Sequence, residues 1–183
     1  MRGIGCTERN KLNFGRQGVL CWCLCRLYLE MLLFNKKAMM IKNNLIEVET
    51  GAGIGIYNIT DQIVEILKNS GIQNGQILVF SRHTTTALAI NEYEKRLLED
   101  IKVYLRKLAP ENDKYLHNDL HLRVVPPDEP ENAHSHLMAM TLSTSEVVPV
   151  VDGKLGLGTW QSVLFFELDG PRTRTVLVQI SGE

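Results

Sequence analysis

The sequence predicts an α+β domain of mostly antiparallel strands with a few helices. Three observations lead there. At least six short β-prone runs are separated by glycine, Asn-Gly, Asp-Gly and Gly-Pro turns. Helical stretches are embedded among them without a regular strand–helix alternation. The hydrophobic content, 44%, is ordinary for a chain that buries a core.

In chain order, Leu45 to Glu49 alternates apolar and polar residues, and Ile54 to Ile59 is β-prone. Thr50-Gly51-Ala52-Gly53 between them reads as a hairpin or a glycine-eased turn. Thr60-Asp61 offers an N-cap to a short helix carrying Ile63, Val64, Ile66 and Leu67, with Gly71 as its stop. Asn74-Gly75 turns into a buried strand, Ile77 to Phe80. After Ala87 the pattern reads as helical, and Asn91 to Leu108 is the best helix. In that helix Tyr93, Leu97, Ile101, Tyr104, Leu105 and Leu108 recur at helical spacing, and Pro110 ends it. Residues 111–131 read as irregular, a length that is often functional. Leu137, Met138, Met140 and Leu142 read as a helix packed on the core. Glu146 to Val151, Thr159 to Leu168 and Thr173 to Ile180 read as strands, with turns at Asp152-Gly153 and Asp169-Gly170-Pro171.

Charge is nearly balanced, 20 Lys+Arg against 21 Asp+Glu, so no basic excess points to nucleic acid. Cys6, Cys21, Cys23 and Cys25 all precede residue 30, so the main body needs no disulfide, which suits a reducing, cytoplasmic setting. Residues 1–39 read as an extension and 40–183 as the domain. Gly18 to Phe34 is largely apolar, but Arg26 and Glu30 interrupt it. It is therefore too broken for a membrane span and a poor signal peptide. The preferred expectation is that translation starts at Met39 or Met40; an amphipathic surface helix is the alternative.

The chemistry concentrates between positions 83 and 136, which hold all five histidines. Arg82 and His83 run into Thr84, Thr85 and Thr86 where a strand ends. If a helix followed, free backbone N–H groups and its positive end would attract an anion. The alternative is that the threonines only cap a helix and Arg82 meets a surface carboxylate. His134-x-His136 and His117 could converge with His83 on one ion or one phosphate, with Asp119 completing a metal shell. Local bonds to backbone or solvent are the alternative, most of all for His121. No phosphate-binding P-loop, dinucleotide fingerprint or nucleophile elbow occurs, and the body holds no cysteine nucleophile.

These residues resemble the YjbQ family, also called the secondary thiamine-phosphate synthase family, from about Leu45 to Glu183. Ser81-Arg82-His83-Thr84-Thr85-Thr86-Ala87-Leu88 with Asn91-Glu92 is similar to that family's His-Thr-Ser-Ala-Ser-Leu…Asn-Glu segment. Thr85 and Thr86 stand where Ser and Ala are more usual, and the hydroxyl at 85 is kept. His117-Asn118-Asp119 and Asn132-Ala133-His134-Ser135-His136-Leu137 resemble its central histidine segments. Val148-Pro149-Val150, Asp152-Gly153, Gly158-Thr159-Trp160-Gln161, Glu167, Arg174 and Gly182-Glu183 follow its C-terminal signature. The resemblance implies a compact α+β fold, a cytoplasmic homotrimer without membrane or nucleic-acid partners, and polar residues clustered near a subunit boundary. It further implies a transferase of thiamine biosynthesis, joining hydroxymethylpyrimidine pyrophosphate to thiazole phosphate with release of pyrophosphate. In that reading His83, His136 and Arg82 are catalytic. Thr84, Thr85, Asn91, Trp160, Gln161 and Glu167 bind substrate, although Trp160 equally suits a core or an interface. His117, Asp119 and His134 would hold a divalent metal, zinc or magnesium. The rival expectation is a non-catalytic metal- or anion-binding homotrimer.

Overall fold

The computed structural model describes residues 38–183. The chain divides into two units, Met1–Ala38 and Met39–Glu183. The expectations for Cys21, Cys23, Cys25 and the apolar run 18–34 lie outside the described residues. The second unit is an α+β fold of β1 (Met40–Glu49), β2 (Gly55–Asn58), α1 (Thr60–Ser70), β3 (Gly75–Ser81), β4 (Thr86–Asn91), α2 (Lys95–Leu108), α3 (Ala133–Thr141), β5 (Ser145–Val151), β6 (Lys154–Leu155), β7 (Ser162–Glu167) and β8 (Thr173–Gly182). Two single 3-10 turns, Leu116–Asn118 and Leu120–Leu122, punctuate the long connection before α3.

The strands form two antiparallel sheets. One has the order β1-β8-β3-β5-β6, the other β2-β7-β4. Period-2 alternation turns Ile46, Val48, Ile77, Val79, Val148, Val150, Val176, Val178 and Ile180 of the larger sheet to one side. There they join Leu88, Val163 and Phe165 of the smaller sheet and Ile63 and Leu67 of α1. The opposite face of the smaller sheet packs Ala87, Leu164 and Phe166 against Leu98 and Leu105 of α2 and Met138 and Ala139 of α3. The layers are therefore sheet, sheet, helices. Because both faces of β7 are covered, Val163 to Phe166 reads as a continuous apolar run with no alternation.

The same double burial explains one departure from the sequence reading. Residues 86–91 form β4, not the start of a helix. Ala87 and Leu88 are both buried, one facing each layer, so the period-2 signal is hidden. Arg82 to Thr85 is consequently a loop between strands of different sheets, and no helix begins at its end. The helix expected from Asn91 starts at Lys95, where the Glu94 carboxylate accepts hydrogen bonds from the N–H groups of Arg96 and Leu97 at 3.0 and 2.8 Å. The segment 50–54 makes no hairpin, because β1 pairs with β8 and β2 with β7. Ile59, not Thr60, is the N-cap of α1, and Gly71 closes that helix in the left-handed conformation (φ 74°). Residues 159–161 precede β7 rather than belonging to it. Asp152-Gly153 does form the expected tight hairpin, with both residues at positive φ.

Phe165 is fully buried between the layers. Phe165→Ala should lower unfolding stability by about 3–5 kcal/mol, read as a fall in the urea midpoint with unchanged slope.

Candidate functional site

Three connections between the two sheets meet at one corner: residues 50–54 from β1 to β2, 82–85 from β3 to β4, and 168–172 from β7 to β8. Hydrogen bonds tie them together. Leu168 N–H donates to the Thr85 carbonyl at 3.2 Å, and Thr50 N–H to the Arg172 carbonyl at 3.1 Å. At their centre lies Glu167, the last residue of β7, which is 0% exposed. Arg174 of β8 grips it with two bonds, Nε to Oε2 at 2.6 Å and Nη2 to Oε1 at 2.8 Å. The Asp169 and Gly170 N–H groups donate to Oε1 at 2.9 and 2.8 Å, and the Thr50 hydroxyl donates to Oε2 at 3.0 Å. Burial by itself would raise the Glu167 pKa. The Arg174 and backbone hydrogen bonds, with the Arg174 charge, outweigh burial and hold the carboxyl below its ordinary range. Gly170 sits at φ 39°, and a Cβ there would lie 2.3 Å from the Gly51 carbonyl oxygen, so only glycine allows this approach.

Above this pair opens a cavity of about 330 Å³, lined by Arg82, His83, Thr84, Thr85, His136, Arg172 and Arg174, with Glu129, Pro130 and Asn132 completing the wall. Arg174 is only 4% exposed. Its Nη2 also reaches Thr85 Oγ1 at 3.2 Å, whereas Nη1 makes no hydrogen bond among the described residues. Arg172 Nη2 and Asn132 Nδ2 share Asp169 Oδ2, at 3.2 and 3.1 Å. Arg82 is exposed and enters no ion pair among the described residues. Nor do the backbone N–H groups of Thr84 and Thr85 donate to any described backbone carbonyl. The lining is thus rich in donors and cations, and Glu129 is its one carboxylate.

His83 accepts a hydrogen bond at Nε2 from the Thr175 N–H at 3.0 Å, with the Thr175 hydroxyl at 3.4 Å. Burial lowers its pKa, as do the charges of Arg174, Arg82 and Arg172; Glu167 opposes them. His136, on α3, stands edge-on to His117 with ring centroids 4.9 Å apart. Burial and then His117 lower its pKa, Arg123 adds to the fall, and Asp169 and Glu129 oppose it. Ser135 anchors that turn of α3 by donating from its hydroxyl to the Leu168 carbonyl at 2.6 Å.

The structure brings Arg82, His83, Thr84, Thr85 and His136 to one cavity, with His117 against His136. It separates the other sequence candidates. Glu167 is sealed beneath the cavity, with its oxygens engaged internally. Asn91 pairs with Ser162 at the far end of β4 from Thr86, about 16 Å away at the strand rise. Trp160 is 73% exposed, and Gln161 holds its own turn by accepting from the Gly158 N–H at 2.8 Å. Asp119 lines an acidic cavity of about 760 Å³ with Glu111, Asp113 and Glu131, and His134 lines another of about 410 Å³. Among the described residues, no three potential metal-binding side chains cluster, His117, Asp119 and His134 included. Sequence reasoning left Arg172, Arg174 and Asn132 out of the candidate site. A lone acid ending the apolar run of β7, seven residues before Arg174, was the available signal.

A family model described as UPF0047 protein YjbQ-like matches residues 44–183. A UPF0047 protein of Methanothermobacter thermautotrophicus is 41% identical over 145 residues, covering 79% of this chain and 95% of its own length. A UPF0047 protein of Archaeoglobus fulgidus is 46% identical over 132 residues, covering 72% and 95%. The crystal structure of a YbjQ-like protein of unknown function from Sulfolobus solfataricus superposes with a TM-score of 0.71 at 38% identity, covering 80% of this chain and all of that one. A hypothetical protein of Aeropyrum pernix gives 0.70 at 39%, covering 78% and 99%.

Glu167→Gln leaves Arg174 as a buried charge without its counter-ion, and should destabilise the fold by about 3–5 kcal/mol. Because folding lowers the Glu167 pKa, its contribution is full above the ordinary carboxylate value of 4.5 and is lost as pH falls through the lower folded value. Denaturation curves between pH 7 and 3 should therefore show the wild type losing its advantage over Glu167→Gln below about pH 4.5.

Proposed function

The chain belongs to the YjbQ-like UPF0047 family, and from that premise we propose that the His83 cavity binds a small phosphorylated molecule and supports group transfer with pyrophosphate as the leaving group. One observation carries this reading: the buried guanidinium of Arg174, neutralised from behind by Glu167, lines a cavity shared with Arg82, Arg172 and His83. A fixed charge of this kind needs no reorganisation when an anion arrives, and its effect is strengthened by the low local dielectric. The volume lies at the low end for small-molecule sites, which favours a compact phosphate ester over a dinucleotide.

The named activity is the one the resemblance implies, formation of thiamine phosphate from hydroxymethylpyrimidine pyrophosphate and thiazole phosphate. The bond from the pyrimidine methylene carbon to the pyrophosphate oxygen breaks as the carbon–nitrogen bond to the thiazole forms. Charge then grows on the departing pyrophosphate, where Arg82, Arg172 and Arg174 stabilise it. The carbon–nitrogen bond forms without loss of a proton, and His136, its pKa lowered by burial and by His117, is suited to take up a proton carried by the bound phosphate groups. A divalent ion, zinc or magnesium, would in this reading offset charge on the phosphates. Among the described residues no helix is long and apolar enough to cross a membrane, and a cytoplasmic homotrimer is part of the proposal. Supporting self-association, the outer face of the larger sheet is covered by no helix among the described residues and carries a row of apolar side chains, Leu45 beside Leu177 beside Phe80, with Val147 opposite Leu78.

The full-length protein should release pyrophosphate from the paired substrates. Arg82→Ala should lower kcat/KM about 10- to 100-fold, and His136→Ala about 100-fold or more. Variants as fast as wild type would refute these roles. Pyrophosphate binding without turnover would favour the rival reading of a non-catalytic anion-binding protein. Leu45→Asp with Phe80→Asp should dissociate the trimer to monomers in sedimentation velocity; a wild-type monomer would refute that assembly.

A further inference from the structure

His83 is unusual among the cavity residues because one end of its ring is already committed. The Thr175 backbone N–H is a donor that cannot reverse its role, and it lies 3.0 Å from Nε2. Nε2 must therefore present its lone pair, and the proton of a neutral imidazole must sit on Nδ1. Adding a second proton would set an N–H against the Thr175 N–H, beside the guanidiniums of Arg82, Arg172 and Arg174. The Thr175 hydroxyl, 3.4 Å away, can turn either way and does not relieve that conflict. Nδ1 makes no hydrogen bond among the described residues and is not among the buried polar side-chain atoms left without a partner. It belongs to a ring that lines the cavity.

We infer that His83 is a fixed, neutral hydrogen-bond donor to the bound phosphate through Nδ1–H, and not the proton carrier of the site. The inference rests on the anion-binding reading above and assigns His83 a single role within it. Its consequence is a division of labour between the two imidazoles of the cavity. His83 stabilises charge on the phosphate oxygens, as an oxyanion donor does. Proton movement is left to His136, which lines the same cavity and whose ring nitrogens make no hydrogen bond within the described residues. Burial and the arginine charges lower the His83 pKa, which agrees with a ring that stays neutral at working pH. The groups facing it from neighbouring elements are Arg82 on its own loop, Arg172 and Arg174 before and within β8, Glu167 ending β7, and His136 and Glu129 across the cavity.

The test is nitrogen-15 NMR of the histidine rings in the full chain, without and with inorganic pyrophosphate, alongside calorimetric titration of pyrophosphate. The expected result is a protonated Nδ1 and an unprotonated Nε2 for His83 from pH 8 to 6, with the Nδ1–H resonance shifting on pyrophosphate addition. His83→Asn, which keeps an amide donor near Nδ1, should bind pyrophosphate within about threefold of wild type, whereas His83→Ala should lose roughly tenfold or more. A His83 ring protonated on Nε2, one that charges between pH 8 and 6, or an Nδ1 signal indifferent to bound pyrophosphate overturns the inference while leaving the anion site standing. Wild-type protein that does not bind pyrophosphate overturns the anion-site reading, and this inference with it.

Discussion

The bidentate pair between Glu167 and Arg174 is the constraint on which the rest of this corner depends. Glu167 ends the central strand of the smaller sheet, and Arg174 is the second residue of β8, an interior strand of the larger one. Joining them fixes how the two sheets meet. The remaining lone pairs of the carboxylate are taken by Asp169, Gly170 and Thr50, so each bond also pins a crossover. A buried ion pair is seldom more stable than a well-packed apolar substitute. Its contribution here is geometric: it holds a guanidinium in one orientation beneath an open cavity.

That geometry follows from layering. The smaller sheet is sandwiched, so its strands spend every residue on packing until they reach its edge. Chemistry is left to the connections, where the chain leaves one sheet for the other and backbone donors are released from the ladders. Arg82 to Thr85 and Leu168 to Arg172 are such connections, and they lie side by side because β3 neighbours β8 while β4 neighbours β7. The long segment before α3 then contributes Glu129, Pro130 and Asn132, and the first turns of α3 place His136 over the same opening.

The electrostatics of the corner are set by paired charges around an open cavity. Three guanidiniums approach one space. Glu167 compensates Arg174 from behind, and Asp169 compensates Arg172 from the side. Both imidazoles respond by becoming less basic, mainly through burial, with cationic neighbours adding to the effect for His83 and His117 for His136. The cavity beside residues 111–121 has the opposite character, with Glu111, Asp113, Asp119 and Glu131 in its wall.

What the sequence determined by itself was the inventory and most of the elements. Alternation marked β1, a short apolar run after Asn74-Gly75 marked β3, and turn residues set off β5 and β8. The spacing of Leu97, Ile101, Tyr104, Leu105 and Leu108 marked α2. Arg82, His83 and the threonines stood out as chemistry at the end of a strand. The tertiary structure decided the rest, for a physical reason. Periodicity reports one buried face at a time, so β4, buried on two, carried no readable pattern, and Ala87 and Leu88 passed for helix; β7, also buried on two, was legible as an apolar run between turns, with its start set too early at Thr159. Charge partners are also invisible along the chain. Nothing local says that Glu167 turns inward to Arg174, that the Thr175 N–H claims one nitrogen of His83, or that Asn91 and Trp160 fall at the opposite end of their sheet. Those are consequences of which strands become neighbours, and sheet pairing is settled by the summed burial of the whole core.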